Sequence, residues 1–456
     1  MTQLPVGDRP AAETTVALTF NFFQHWYPVS PIEDLDPTRP TAITVLGLRF
    51  VIWKPKGSTS FRIFRDRCPH RLAPLSQGRI DESGHLMCSY HGWQFDIDGH
   101  CASIPQAENA TLVEQQRDHY CATPYPVREA NDLLWLWPDA ESLEQAESTP
   151  LPLSPQVDAS KGFVWSSVVR DLEYDWQTLV ENVCDPSHVP FAHHGVQGNR
   201  QMAQPIPMTV TSSTPAEILV ETGGQFRSTI TFQPPCRLEY AIQFGRDKQV
   251  GLVTYCVPIS PGKSRIVAQF PRNFARTLLA LIPRWWDHIN NRNLVLDGDM
   301  VLLHYQEREL LQTADLVSSW KQAYKMPASA DRLVIEFRRW FDRHCQGQLP
   351  WKQVGLDPQL ASPTTDAQII LDRYKQHTTH CSSCRGALTA IRRWQFGLVA
   401  LAGVLVMVTA LLPDAGRVQF GLPLAGITIV ALGVYLLLKY WLEPKFYYVD
   451  YVHADR

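Results

Sequence analysis

The sequence predicts an α+β fold in three parts: an all-β domain, an antiparallel-sheet domain with helices, and a pair of membrane-spanning helices. Short β-branched and aromatic runs broken by Gly, Pro and Asp fill residues 23–138, as in a small all-β domain. Strand-like runs alternate with helical patterns over 161–350, which favours an antiparallel sheet carrying helices. Two long uncharged apolar runs lie within 395–440, and each is long enough to cross a bilayer as a helix.

Composition excludes two broad classes of protein. Apolar residues make up 45% of the 456 residues and charged residues 19%, which rules out a generally disordered chain. Lys and Arg number 42 against 45 Asp and Glu, so no basic excess is available for binding nucleic acid. Ten cysteines are too few for a disulfide scaffold of this length. The first 20 residues resemble neither a secretory signal nor a transit peptide, so we expect the thiols in a reducing compartment.

The first domain follows a tail at 1–22 and ends at a linker over 139–160, which is rich in Pro, Ser and Glu. Its strand-like runs include TAITVLGLRFVIW (41–53), FRIF (61–64) and LLWLW (133–137). In the second domain, helical patterns lie around 172–183, 276–312 and 330–345. A polar connector over 351–394 joins this domain to the two apolar runs.

The apolar runs themselves cover 396–412 and 418–438. A buried helical hairpin in a soluble core is the alternative, but two adjacent apolar runs at the chain end have little left to pack against. Basic residues flank the pair at its two outer ends: Arg385, Arg392, Arg393, Lys439 and Lys445. The positive-inside rule therefore places the large N-terminal part on the cytoplasmic side, together with a tail over 441–456.

The strongest chemical signal is C-P-H at 68–70 followed by C-S-Y-H at 88–91. Each loop contributes one thiol and one imidazole, so the two thiolates can hold one iron of a two-iron cluster and the two imidazoles the other. Neutral imidazole ligands raise the reduction potential, which suits the transfer of single electrons. A structural zinc site also accepts two Cys and two His, although zinc fingers usually place both Cys before both His.

A second group lies in ENVCDPSHVPFAHH (181–194), where His188 and His193 stand five residues apart. We expect Pro190 to break a helix between them, so that both imidazoles can face one point. Two His and one carboxylate bind Fe(II) and leave positions open for O₂ and substrate. Two histidines near prolines are more often ordinary packing residues, but a stored electron needs an iron to reduce.

The carboxylate of this set is expected on the helical pattern at 293–307. Asp299 has apolar residues at i−4, i−3, i+3 and i+4, so its carboxylate lies in an apolar stripe and needs a partner such as a metal ion. Asp297 is the weaker alternative, because a polar Asn stands at its i−4 position. Either residue could instead lie on a solvated helix face.

Cys381 and Cys384 form a C-x-x-C motif between the second domain and the apolar pair. Three interpretations stay open from the residues alone: a redox-regulatory dithiol, half of a zinc site with His377 and His380, or a coincidence. The other six cysteines outside the two loops show no spacing pattern and are expected to be packing residues.

The loops C-P-H-R-x-A-P-L and C-x-Y-H-G-W-x-F resemble the Rieske [2Fe–2S] signature, and the 181–194 stretch resembles the mononuclear-iron motif of Rieske oxygenases. With HWYPV (25–29), the C-x-x-C and a terminal FYYVDYVHAD, the chain is similar to one branch of these oxygenases over residues 20–452. That branch holds pheophorbide a oxygenase, the protochlorophyllide-dependent translocon proteins and the chloroplast-envelope translocon-associated Rieske proteins. The missing transit-peptide pattern favours a cyanobacterial member.

The resemblance implies an N-terminal Rieske domain whose cluster ligands are Cys68, His70, Cys88 and His91. It implies mononuclear Fe(II) bound by His188, His193 and Asp299. It also implies that Asp185 passes electrons from the cluster of a neighbouring subunit, and hence a homotrimer. The implied partners are ferredoxin or a ferredoxin-type reductase as electron donor, and thioredoxin acting on Cys381 and Cys384.

These expectations combine into a membrane-anchored Rieske-type monooxygenase that uses O₂ and ferredoxin-derived electrons. The resemblance implies a hydrophobic, chlorophyll-type tetrapyrrole substrate, similar to pheophorbide or chlorophyllide. The expected location is the thylakoid or plasma membrane of a cyanobacterium. The alternative is a Rieske electron-transfer or redox-regulated membrane-associated protein without oxygenase turnover, which would hold two irons per chain rather than three.

Overall fold

The computed structural model describes residues 20–223, 227–313, 319–358 and 364–456, so the tail predicted at 1–22 lies almost wholly outside the described residues. The N-terminal region folds into three small antiparallel sheets. In order across each sheet, the strands are Tyr27–Pro31, Leu133–Leu136 and Val127–Ala130; Thr41–Val45, Leu48–Trp53, Arg62–Arg65 and Pro124–Tyr125; and Arg79–Ile80, Leu86–Met87, Gln94–Phe95 and Cys101–Ser103. Two short helices follow at Ala110–Gln115 and Leu143–Ser148.

The central region contains one seven-stranded antiparallel sheet. Across the sheet, its strands are Ser167–Leu172, Lys263–Gln269, Lys248–Ser260, Arg237–Phe244, Ser228–Gln233, Ile218–Thr222 and Met208–Ser213. Burial alternates clearly along strand Ile218–Thr222, where Ile218 and Val220 are buried and Glu221 is exposed. Successive side chains of a strand point to opposite faces of the sheet. This is the antiparallel sheet predicted for the second domain.

One continuous apolar core joins the first two N-terminal sheets to the central sheet. Trp135 packs edge-on against Tyr255, with ring centroids 5.1 Å apart. The backbone N–H of Leu46 donates to the carbonyl of Pro258 at 2.8 Å. A smaller, separate core lies beneath the two Cys-His loops. The central sheet and the first two N-terminal sheets therefore share one core, and the loops and the third sheet share the smaller one.

Helices cover the central sheet and lead to the C-terminus. They are Trp176–Cys184, Val189–Ala192, Arg276–Leu281, Arg284–Asp287, Asn293–Thr313, Ser319–Ala323, Arg332–Cys345 and Ala367–Ile370, with π-helical turns at His288–Arg292 and Tyr374–Thr378. The first packs on the sheet, where the indole N–H of Trp176 donates to the carbonyl of Cys256 at 3.1 Å. Asn293–Thr313 carries the predicted carboxylate and is called the Asp299 helix below.

Two long apolar helices, Ser382–Leu411 and Asp414–Leu437, end the fold. Both are long and apolar enough to cross a membrane, and most of their apolar surface is exposed. Exposed apolar surface of this extent is typical of sites that contact a membrane or another protein. The buried-hairpin alternative does not describe these two helices, because they do not pack inside the core.

Candidate functional site

The two predicted iron histidines come together because the chain turns sharply after helix Trp176–Cys184. Pro186 ends that helix, since proline disfavours helical backbone in the residue before it. A 3-10 turn, Pro186–His188, and a short helix, Val189–Ala192, then reverse the chain. The predicted break at Pro190 is therefore wrong in position: Pro190 lies in the first turn of the second helix, where its missing N–H is not needed.

His188, His193 and Asp299 meet at one point. Nε2 of His188 lies 3.2 Å from Nε2 of His193, and Oδ1 of Asp299 lies 3.7 Å and 3.4 Å from these two nitrogens. Three ligands about 2.1 Å from one ion are about 3.0–3.4 Å apart. Two of these separations fall in that range and the third exceeds it by 0.3 Å, so the group suits a single metal ion. His193 and Asp299 are buried, whereas His188 is half-buried, so the group is open on one side.

Burial keeps His193 in the form that binds a metal. It lowers the pKa of the imidazole below the ordinary 6.5, although the Asp299 carboxylate acts in the opposite direction. A neutral imidazole retains a lone pair for an ion. Nδ1 of His188 contacts the backbone carbonyl of Asp185, and this contact orients Nε2 toward His193. Two imidazoles and one carboxylate are a donor set that fits non-haem Fe(II).

Asp297 and Asp299 are two residues apart on one helix but have different partners. Asp297 is fully buried, with its Oδ1 2.7 Å from Nη2 of Arg170 and its Oδ2 accepting from Nε of Arg373 at 2.8 Å. Asp299 instead accepts a hydrogen bond from Nδ2 of Asn182 at 3.3 Å. The fold therefore brings Asp299, rather than Asp297, to the histidines. Asn182, to which the sequence assigned no role, orients its carboxylate.

The two Cys-His loops form a second group, which shares the smaller core with the sheet that contains Leu86–Met87 and Gln94–Phe95. Cys68 and Cys88 are buried, while His70 is exposed and His91 is half-buried, and the two imidazole rings lie 4.6 Å apart. Gly92 turns the second loop with φ at +73°, where its N–H donates to the carbonyl of Cys88 at 3.0 Å. Two inner sulfurs and two outer imidazoles suit a Rieske cluster whose imidazole-bound iron lies near the surface.

Comparison with known proteins supplies the family. A model of the Rieske [2Fe-2S] domain matches residues 25–120, and a model described as pheophorbide a oxygenase matches residues 232–315. The chain is 38% identical to the pheophorbide a oxygenase of Oryza sativa subsp. japonica, over 98% of this chain and 88% of that protein. The chain belongs to the pheophorbide a oxygenase family of Rieske oxygenases.

Two further comparisons extend this result. The chain is 32% identical to flavonoid 8-hydroxylase 2 of Ocimum basilicum, over 95% of this chain and 86% of that protein. A crystal structure of dicamba monooxygenase bound to dicamba matches with a TM-score of 0.58 at 20% identity, over 72% of this chain and 98% of that one. The predicted fold class and branch are confirmed. Both plant relatives are chloroplastic, so a cyanobacterial origin stays a prediction.

The chain is a Rieske non-haem iron oxygenase, as predicted. Its cofactors are a Rieske [2Fe–2S] cluster and a mononuclear iron. The residues of both groups fit these cofactors in number and donor type, and the donor atoms of His188, His193 and Asp299 are also spaced for one ion. The assignment of individual residues as ligands stays a prediction.

A cavity of about 860 Å³ opens beside the iron group of this oxygenase. Its volume lies near the upper end of the range for small-molecule sites, about 300–1,000 Å³. Most of the wall is apolar, and its largest share comes from the segment 182–206 that carries the two histidines. The central sheet and the Asp299 helix add Val168, Ile242, Leu252, Ile266 and Val295. The cavity therefore suits a large, mostly apolar substrate.

Arg292 is the one arginine or lysine among the described residues that line this cavity. Its guanidinium lies 3.4 Å from the ring centroid of Phe270, and its Nε donates to Oδ2 of Asp287 at 2.8 Å. Stacking and the ion pair hold the side chain in one orientation, so its remaining N–H groups are available to an anionic substituent. The sequence showed no signal for this role.

The C-terminal tail packs against the iron group. The hydroxyl of Tyr451 donates to the carbonyl of Ala192 at 3.0 Å. A Cβ on Gly298 would lie 3.0 Å from the Tyr451 hydroxyl oxygen and 3.1 Å from the Ala192 carbonyl oxygen. Glycine therefore allows the tail, the histidine turn and the Asp299 helix to approach one another closely. The sequence did not connect Tyr451 with the site.

Asp185 lines the same cavity beside His188. Its Oδ1 accepts from the backbone N–H of Ser187 at 2.7 Å, and its side chain is 28% exposed. The carboxylate is thus held rigidly at the edge of the cavity. Its predicted part in electron transfer between subunits stays a prediction.

Cys381 and Cys384 are both fully buried free thiols. His377 joins them, with its Nε2 3.3 Å from Sγ of Cys384. His380 does not, because its Nε2 lies 3.6 Å from Oδ2 of Asp171 instead. The interpretation that paired His380 with the two cysteines is therefore wrong, and the partner that the fold supplies is His288.

Proposed function

We propose that this oxygenase is a membrane-anchored monooxygenase that inserts one atom of O₂ into an apolar, chlorophyll-type tetrapyrrole. One observation carries the proposal: His188, His193 and Asp299 converge at the wall of a large apolar cavity in a chain that also has paired Rieske loops. The similarity to pheophorbide a oxygenase supports the substrate class.

In this proposal, each candidate residue has one role. Cys68, His70, Cys88 and His91 hold the Rieske cluster, and His188, His193 and Asp299 hold the mononuclear iron. When bound, these groups supply single electrons and the activation of O₂. Two electrons from reduced ferredoxin, two protons, O₂ and a substrate C–H bond balance to one C–OH bond and one water.

The chain's own residues prepare the reaction. The apolar walls around Ile242 and Leu252 displace water and hold the substrate beside the iron group. Asn182 fixes the rotamer of the Asp299 carboxylate. Asp185 lies at the edge of the cavity, where it can bridge to the cluster of a neighbouring subunit in the homotrimer that we propose.

Arg292 gives this cavity a preference for a substrate with an acidic substituent. Pheophorbide and chlorophyllide combine a large apolar ring system with one carboxylate side chain, and this combination matches an apolar cavity with one fixed guanidinium. A guanidinium binds a carboxylate through two parallel hydrogen bonds. We assign Arg292 to the substrate carboxylate.

The two long helices are proposed to anchor the enzyme where such substrates are dissolved. Only 11% of the most apolar stretch of the first helix and 6% of that of the second are buried, which supports contact with lipid rather than with protein. The flanking Arg and Lys residues support a cytoplasmic position for the catalytic part, at a thylakoid or plasma membrane. Thioredoxin as a partner stays a prediction, and it would act on thiols that are fully buried.

Iron counting and single turnover test the proposed activity. We expect three irons per purified chain, and consumption of O₂ by the chemically reduced protein with pheophorbide a, yielding an oxygenated pigment by mass spectrometry. His188→Ala should keep the Rieske absorption and lose one iron and the product. A flavone serves as the competing substrate class. Two irons in the wild type, or equal O₂ consumption by both proteins, would instead favour the electron carrier.

Membrane anchoring has its own test. We expect the full chain to stay in the membrane fraction after alkaline carbonate extraction, and a cysteine introduced at Ala415 to react only with reagents on the side opposite the catalytic part. Release of the chain by carbonate would contradict anchoring while leaving the proposed oxygenation intact.

A further inference from the structure

Four buried side chains outside the oxygenase site converge at the base of the apolar helices. His288 comes from the turn before the Asp299 helix, His377 from the π-helical turn Tyr374–Thr378, and Cys381 and Cys384 from the start of helix Ser382–Leu411. All four are at most 1% exposed. Their ligand atoms lie within 4.8 Å of one another.

The spacing of these atoms is that of a tetrahedral metal site. Nδ1 of His288 lies 3.2 Å from Nε2 of His377, 3.6 Å from Sγ of Cys381 and 3.9 Å from Sγ of Cys384. Nε2 of His377 lies 3.3 Å from Sγ of Cys384. Zn–N and Zn–S bonds of about 2.1 Å and 2.3 Å in a tetrahedron place two nitrogens about 3.4 Å apart and a nitrogen and a sulfur about 3.6 Å apart.

The surroundings complete the site as they do in structural metal centres. Nδ1 of His377 contacts the carbonyl oxygen of Val169 at 2.6 Å, so Nδ1 carries the proton and Nε2 presents its lone pair to the group. Nη2 of Arg284 donates to Sγ of Cys381 at 3.3 Å. Apolar side chains, among them Ile289 and Phe446, enclose the rest.

We propose that His288, His377, Cys381 and Cys384 bind one structural zinc ion. Two thiolates neutralise the charge of Zn²⁺, so the complete site carries no net charge and is compatible with its apolar surroundings. Four protein ligands fill the tetrahedron and leave no position for substrate, which is the mark of a structural rather than a catalytic zinc site. The proposal is independent of the oxygenase activity.

The zinc would join the parts of the protein that meet at the membrane. His288 precedes the Asp299 helix, His377 is held to the strand Ser167–Leu172, and the cysteines begin the first apolar helix. One ion therefore ties the catalytic sheet, the helix that carries Asp299 and the proposed anchor. Buried thiols bound to a metal are also closed to thiol–disulfide exchange, which requires access.

Metal analysis of the full chain, purified in detergent, tests the proposal. We expect one zinc per chain in addition to iron. Cys384→Ser and His288→Ala should each lose that zinc and keep the Rieske absorption spectrum. Cys236→Ser is the matched control, because Cys236 is equally buried but lies in the central core, and it should retain the zinc.

A measurement on the wild type covers the case in which the variants do not fold. Protein produced with Co²⁺ in place of zinc should show the intense visible bands of tetrahedral cobalt with thiolate-to-cobalt charge transfer. Three results would overturn the proposal: a wild-type chain without zinc that also shows no cobalt–thiolate bands, zinc that persists in Cys384→Ser, or a Cys381–Cys384 disulfide found by mass spectrometry in active protein.

Discussion

At the scale of single residues, the partners of a side chain decide its role. Asp297 and Asp299 share one helix, and both are nearly inaccessible to solvent. Asp297 forms ion pairs with Arg170 and Arg373, whereas Asp299 faces two imidazoles. One carboxylate therefore supports the fold and the other is available to a metal ion.

Replacing each aspartate by asparagine separates these two roles. We expect Asp299→Asn to lose the mononuclear iron and turnover while its Tm and Rieske spectrum stay close to those of the wild type. Asp297→Asn leaves two buried arginines without their counter-charge, which costs about 3–5 kcal/mol of stability. Iron analysis of both variants measures the loss of the metal, and thermal unfolding measures the loss of stability. Loss of iron with an unchanged Tm in Asp297→Asn would reverse the assignment.

A second residue-scale prediction concerns Arg292 and the substrate. Arg292→Met keeps an apolar side chain against Phe270 but removes the guanidinium, so the KM for pheophorbide a should rise about 10-fold or more, as for loss of a charged hydrogen bond. The kcat should change little. The methyl ester of the substrate is the control, since its KM should be similar in both enzymes. An equal rise for acid and ester would contradict a carboxylate contact.

At the scale of elements, the Asp299 helix is bonded to helix Trp176–Cys184 at a second point, besides the contact of Asp299 with Asn182. Oε2 of Glu307 accepts hydrogen bonds from the backbone N–H of Asp175 and the hydroxyl of Thr178, both at 2.6 Å. Burial raises the pKa of Glu307 from 4.5 to about 8, and the Asp175 carboxylate acts in the same direction, while Thr178, the Asp175 N–H and Arg308 oppose it. Folding therefore favours the protonated form of the Glu307 carboxyl.

The raised pKa of Glu307 makes stability depend on pH with a definite sign. The unfolded chain releases this proton above about pH 4.5 and the folded chain only near pH 8, so stability falls as pH rises between these values. Glu307→Gln removes the ionisation, so its Tm relative to the wild type should increase from pH 5 to pH 8. Glu309→Gln, at an exposed position of the same helix, is the control. Parallel Tm profiles for Glu307→Gln and wild type would refute the account.

At the scale of the whole molecule, the candidate cluster residues and the candidate iron residues form two separate groups of side chains. None of the four cluster residues is among the described residues that line the cavity, and the cluster histidines face outward. Asp185 is also partly exposed at the cavity edge. Transfer of electrons between neighbouring subunits through Asp185 stays a prediction, and it can be tested.

Complementation tests transfer between subunits. Cys88→Ser removes the cluster and His188→Ala removes the mononuclear iron, so each variant alone should be inactive. When the two are co-expressed and purified together, mixed assemblies of the proposed trimer would pair an intact cluster with an intact iron site, and activity should return in part. The control is a double variant that carries both Cys88→Ser and His188→Ala in one chain. It is co-expressed with either single variant in the same proportion. Mixed assemblies without activity would indicate transfer within one chain.

The sequence alone was sufficient for features that depend on short stretches. Cys68, His70, Cys88 and His91 lie in two compact loops, so their spacing predicted a two-iron cluster before any fold was known. The fold class followed from alternating strands and uncharged runs, because periodicity and length are local properties. Asp299 was favoured for the same reason, since its apolar neighbours are on its own helix.

Tertiary structure decided whatever depends on contacts between distant segments. Only the fold shows that Asp297 is occupied by Arg170 and Arg373, and that Arg292 enters the cavity. His288 lies 89 residues before His377, and no local pattern links it to the C-x-x-C motif; His380, which is nearer in sequence, points to Asp171. Side chains meet where the packing of helices and sheets places them, and that packing minimises exposed apolar surface over the whole chain rather than within any one motif.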